Sequence, residues 1–202
     1  IWELFDSWKK ILHVGIPGAV VRISPHVLRA VLTRLAAGVG GVTAVAAVAA
    51  GFRIESFALI IGMAVGTALV PVIGQNWGAG RLDRVNRTRR LLNKTAVAYG
   101  LIAFVLMLLF GGTVAGIFTD EPEVLTRTRW YLWIVMIGIV GLNLYNWTSE
   151  QLNAAGKPRW TLIINVAGIG LILIPLSVLG ARVFGFKGML VGLASGQLLL
   201  GF

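Results

Sequence analysis

The stretch 52-FRIESFALIIGMAVGTALVPVIGQNWGAGRLDRVNRTRR-90 decides the fold. It opens inside an apolar run that carries Arg53 and Glu55, passes through a Gly/Asn-rich turn at 74–80, and ends in a dense basic run. Charges sit first where a membrane core would be and then where a membrane surface would be. Several flanking runs of about 20 residues are almost free of charge, long enough to span a bilayer as helices. The reading is a polytopic, all-α membrane protein with a polar working site inside it.

Composition supports this. Of 202 residues, 57% are hydrophobic and 13% charged, and the mean hydropathy is +0.84. A soluble domain is nearer one-quarter charged. The net charge of +10 would suggest nucleic acid in a soluble protein, but here the cations gather at segment ends. Anionic lipid and membrane topology explain them better. The basic run Arg81–Lys94 contains no aromatic residue, which argues against nucleic acid, since single-strand binding interleaves aromatics with cations.

Six apolar segments are predicted, at about 14–38, 42–72, 91–117, 120–155, 159–180 and from 188 onward, by length and turn signals. Segment two, about 45 Å if helical, exceeds a bilayer core and implies tilt or protrusion. Turns are expected at Gly38–Gly41, at Gly74–Gly80 and at Gly156-Lys157-Pro158, where a C-cap glycine precedes proline. Thr119 or Asp120 is expected to cap segment four, with Pro122 in its first turn. Residues 1–13 place Trp2, Phe5, Trp8 and Leu12 against Glu3, Asp6, Lys9 and Lys10. That pattern fits an interfacial amphipathic helix, or equally a linker helix, ahead of a 14–202 transmembrane lobe. The start has no initiating Met and no signal-peptide pattern, and Phe202 lies inside an apolar run, so a fragment is expected.

A cytoplasmic N-terminus puts ten cations inside (Lys9, Lys10, Arg81, Arg84, Arg87, Arg89, Arg90, Lys94, Lys157, Arg159) and four outside (Arg127, Arg129, Arg182, Lys187). The positive-inside rule therefore places both ends of the fragment in the cytoplasm, in a plasma or inner membrane. Trp77, Trp147 and Trp160 then fall at the inner interface, and Trp130 and Trp133 at the outer one. The small residues from Ala44 to Gly51, with Gly62 and Gly66, permit close helix packing.

Charges within the spans are the candidate site. Arg22, His26 and Arg29 share a helix face at i, i+4, i+7 around Pro25, while Arg34, Arg53 and Glu55 are also intramembrane. A charge near the midplane costs about 2.5–3.5 kcal/mol on insertion scales, so it turns to protein or water and finds a partner. Glu55 is expected to face a cavity and pair with Arg29, His26 or Arg22, where a carboxylate can load a proton or cation. A static buried ion pair fixing helix register is the alternative. Asn143, Asn146, Glu150 and Asn153 form a polar stripe on segment four that either lines a wet cavity or joins helices by hydrogen bonds.

Catalytic constellations are missing from the sequence. Two histidines and no cysteine leave no metal-ligand set, and no nucleotide-binding glycine loop or Ser/His/Asp arrangement occurs. An enzyme is not expected; a membrane transferase would need an Asp or His cluster at a membrane face.

The residues 46-AAVAAGFRIES-56, 62-GMAVGTALVPVIGQNWGAG-80, 117-IFTDEPEV-124 and the turn Gly156-Lys157-Pro158-Arg159 resemble the multidrug and toxic compound extrusion (MATE) transporters. The G-Q-N-x-G-A-G turn is the strongest element. The resemblance implies a twelve-helix protein of two six-helix lobes, of which this chain corresponds best to the C-terminal one, partnered by the N-terminal lobe of the same protein. It implies a secondary antiporter exporting cationic or amphipathic small molecules for Na⁺ or H⁺, with no further cofactor. From the residues themselves Glu55 is the candidate coupling site, with Arg22, His26, Arg29, Arg53, Asn143, Asn146 and Glu150 lining the cavity. Some Na⁺-coupled members carry an acid in the first helix of that lobe; here that helix has Arg22, His26 and Arg29 instead. Against the family pattern, either Glu55 substitutes for that acid or coupling resides in the N-terminal lobe. The alternatives are a lipid-linked-precursor flippase of the same superfamily, whose cavity should be cationic, and a non-transport membrane subunit.

Overall fold

A computed structural model describes the backbone of residues 2–201, and side chains at Trp8, Ile11, Leu12 and from Gly15 to Gly201. The first helical run, Trp2–Gly78, is broken at Gly41, whose φ of 64° and ψ of −154° only glycine adopts readily. The chain reverses there: Arg29 and Ser56, 27 residues apart, are hydrogen-bonded at 2.8 Å, whereas a straight helix would separate them by about 40 Å. The run is thus two antiparallel helices, α1 (2–40) and α2 (42–78). A second reversal occurs over two residues, Phe184 and Gly185, the latter with φ 60° and ψ −140°, inside Ile174–Gly201. It separates α5 (158–183) from α6 (186–201), and around it Gly180 and Gly188 touch backbone to backbone. Between the hairpins lie α3, Leu82–Gly116, and α4, Pro122–Ala154, which tightens to a 3₁₀ turn at Met136–Gly138. A π-helical segment, Gly168–Leu173, lies within α5.

Among the described residues six helices therefore form, as the apolar segments predict, with three differences at their ends. The expected turn Gly38–Gly41 contracts to Gly41 alone. The basic run is helical from Leu82 onward, because nothing from 82 to 99 breaks a helix. Glu121, not Thr119 or Asp120, is the N-cap residue of α4; the Thr119 hydroxyl instead accepts from the Glu121 N–H at 3.2 Å. At the opposite end of the lobe, α2 and α4 stop in the same way. Gly80 and Gly156 take φ of 69° and 71°, and the following Arg81 and Lys157 amides bond back to Asn76 and Leu152 at 2.9 and 2.8 Å.

Helix α1 starts at Trp2 without a break at residue 13. The amphipathic pattern of residues 1–13 falls outside the described side chains except for Trp8, Ile11 and Leu12, all exposed.

Helix α4 is the hub. In its most apolar stretch over half of the residues are buried, against about a fifth in the other long apolar runs. Tyr131, Leu132, Val135, Met136 and Ile139 have essentially no exposed surface. Close approach depends on glycines of its neighbours: Gly51 receives the Tyr131 ring, Gly62 the Asn143 amide, and Gly100 the backbone at Val140. The small residues of α2 therefore act as packing sites, as their spacing predicts.

Candidate functional site

Glu55 lies on the lobe-facing side of α2 and is 5% exposed. The Tyr131 hydroxyl on α4 donates to its Oε2 at 2.6 Å, and Gln197 Nε2 on α6 donates to its Oε1 at 3.1 Å. Three helices thus meet at one carboxylate. Local sequence explains the fit. Gly51, one turn before Glu55, leaves room for the Tyr131 ring, and Gly138 and Gly141 together accommodate Gln197. Phe52 steadies Tyr131 from the side, edge-to-face at 5.9 Å.

The expected pairing of Glu55 with Arg29, His26 or Arg22 does not form; among the described residues no cation makes a salt bridge to it. The cause is angular. Adjacent residues on a helix point about 100° apart, and Arg29 meets the face of Ser56 while Glu55 turns into the lobe. Arg29 Nη2 donates to Ser56 Oγ at 2.8 Å and its guanidinium lies over the Phe52 ring at 5.1 Å. The Ser56 hydroxyl donates in turn to the Phe52 carbonyl at 2.7 Å. Arg22, His26 and Arg53 are exposed. Arg29 and Arg53 together border a groove of about 550 Å³ with Phe52, Ser56, Phe57 and Phe118.

The polar stripe on α4 divides. Asn143 is fully buried against Gly62, so it packs between helices rather than lining a cavity, and its Nδ2 has no hydrogen-bond partner. Its neighbour Trp147 is also buried and donates Nε1–H to the Gly62 carbonyl at 2.7 Å, which removes it from the expected interfacial belt. Asn153 Oδ1 accepts from Thr161 of α5 at 2.9 Å. Asn146 and Glu150 are half-exposed and remain able to meet water.

Tyr131 and Gln197 were missed from sequence. Tyr131 reads as one more aromatic between Trp130 and Trp133. Gln197, alone in the apolar run 189-MLVGLASGQLLLG-201, carried a usable signal, since a lone amide in a span seeks a polar partner.

The lobe geometry and the signature turn are matched by comparison with known proteins. The MatE family profile matches residues 17–179. This chain belongs to the MatE family. The FAD transporter of Shewanella oneidensis is 31% identical over 96% of this chain and 43% of its own length. The multidrug resistance protein MdtK of Pectobacterium atrosepticum is 26% identical over 84% of this chain and 36% of its own. The crystal structure of the Vibrio cholerae MATE transporter VcmN in the bent form superposes with a TM-score of 0.91 at 28% identity, over 97% of this chain and 44% of that one. The MatE chain described here thus spans less than half the length of these relatives. Members of the family are multi-pass membrane transporters, not enzymes.

Proposed function

We propose that this chain is the C-terminal lobe of a two-lobed secondary antiporter that exports amphipathic small molecules, with Glu55 as the residue loaded by the coupling ion, Na⁺ or H⁺. The observation that carries the reading is a carboxylate buried at the junction of α2, α4 and α6 with two neutral donors and no salt bridge. A buried ionised group with no direct salt bridge is held at a cost of several kcal/mol, and neutralising it relieves that cost. Loading Glu55 changes what Tyr131 and Gln197 are bonded to, and so can bias two arrangements of the three helices. The lobe's Gly41–Gly185 end faces outward and both chain ends inward, following the excess of cations at the other end.

Substrate names among the relatives diverge between FAD and multiple drugs, and the substrate of the whole protein is a separate question. A flippase for lipid-linked precursors draws support from the shared exposure of Arg22, Arg53 and His26. The family match over 17–179, which includes the G-Q-N-x-G-A-G turn, favours the antiporter.

The test is export by the full-length protein in everted vesicles under imposed Na⁺ or pH gradients. Glu55→Gln keeps the Tyr131 contact but cannot be loaded. The expected outcome is loss of gradient-driven flux with the variant still inserted in the membrane. Wild-type flux rates in the variant would sink the coupling role.

A further inference from the structure

The groove on α1 and α2 is chemically one-sided. Arg29 and Arg53 supply two guanidinium groups, Phe52, Phe57 and Phe118 supply aromatic surface, and Ser56 anchors Arg29. Phe57 is 65% exposed and Phe118 37%, so two rings are open to an incoming molecule. Arg29 is already braced, on Ser56 Oγ at 2.8 Å and over Phe52 at 5.1 Å. Arg53 is exposed and makes no salt bridge among the described residues.

Among the described residues no acidic group makes a salt bridge to either cation. Glu55, two positions from Arg53, is turned into the lobe and bonded by Tyr131 and Gln197. Glu123 is bonded to Arg127 at 2.7 Å. Asp120 and Glu121 lie in the exposed turn after Phe118 and do not border the groove. Further along the same helix as Arg29, Arg22 is exposed and adds positive charge, with the exposed imidazole of His26 between them. Such a row cannot face lipid tails cheaply. It belongs on a surface that faces water or another part of the protein.

Resting on the transporter reading, we propose that this groove is a substrate subsite, and that it selects planar aromatic molecules bearing a phosphate or other oxyanion. Guanidinium groups match such oxyanions with paired N–H donors, and the phenylalanines offer the ring a stacking surface. A cationic drug would bring a third positive charge beside Arg29 and Arg53 with no carboxylate to receive it.

Flavin mononucleotide and riboflavin test this as probes, because they share one fluorescent ring and differ by a phosphate. Equilibrium binding to the purified full-length protein, with no gradient present, is read by flavin fluorescence quenching. Flavin mononucleotide should bind roughly tenfold or more tightly than riboflavin, the scale of a charge-assisted pair. Arg53→Gln should erase that ratio while leaving riboflavin unchanged, and Arg53→Lys should keep part of it. Tighter binding of ethidium than of flavin mononucleotide, or an unchanged ratio in Arg53→Gln, overturns the proposal. Displacement of flavin mononucleotide by an equal concentration of inorganic pyrophosphate overturns its aromatic half. A protein that shows the flavin ratio but no gradient-driven flux would refute the coupling role of Glu55 and leave the groove standing.

Discussion

Helices α4 and α1 are both long, apolar and polar at intervals, yet they use their polar residues in opposite ways. On α4, Tyr131, Asn143 and Trp147 point into the lobe and are buried, each fitted against a glycine of α2. On α1, Arg22, His26 and Arg34 are exposed, and Arg29 is half-buried against α2. Polarity on α4 is part of the packing, whereas polarity on α1, apart from Arg29, is left on the surface of the lobe. A change on α4 should therefore register first in stability, and one on α1 first in binding.

The contrast can be broken most forcefully at Gly141, whose α-carbon abuts the backbone at Gln197 and Leu198. No side chain there can yield, so Gly141→Leu should cost more than about 3 kcal/mol, beyond ordinary overpacking. Loss of the monodisperse peak in fluorescence-detected size exclusion of the full-length protein would show it. Tyr131→Phe leaves the ring in place and removes one donor to Glu55. A hydrogen bond to a charged group contributes about 1.5–3 kcal/mol, and the drop in Tm measures it. A null result there would mean that the Tyr131–Glu55 bond does not stabilise the lobe.

Smaller effects sharpen both sides. Lys187 lies 4.0 Å from the Trp130 ring, and Lys187→Gln should cost about 0.5–1 kcal/mol. Arg22→Gln, on the open face of α1, should shift stability by no more than about 0.5 kcal/mol. If Arg22→Gln lowers Tm as much as Tyr131→Phe, the division between the two helices is wrong.

Six helices, their order and most turn positions were legible, because apolar length and Gly/Pro punctuation are local signals. The packing role of Gly51, Gly62 and Gly66 was legible too, from small residues recurring in a span. Glu55 stood out as a carboxylate within an apolar run, but its partners did not. Tyr131 and Gln197 lie 76 and 142 residues away, and their approach depends on glycines of other helices. Arg29 was the nearest opposite charge by depth, but depth fixes height along a helix and not the direction a side chain points. The same limit explains Asn143 and Trp147: spacing placed them correctly on α4 without showing that the lobe closes over them.

The tight reversals at Gly41 and at Phe184–Gly185 also decide where the molecule can be gripped. Proteases and antibodies need several consecutive residues free of helical bonding. At that end of the lobe, the described chain offers such a stretch in the turn from Ile117 to Glu121. An epitope or cleavage site placed there should be read from one side of the membrane without disturbing either hairpin, which makes residues 117–121 the natural address for reporting which way the protein faces.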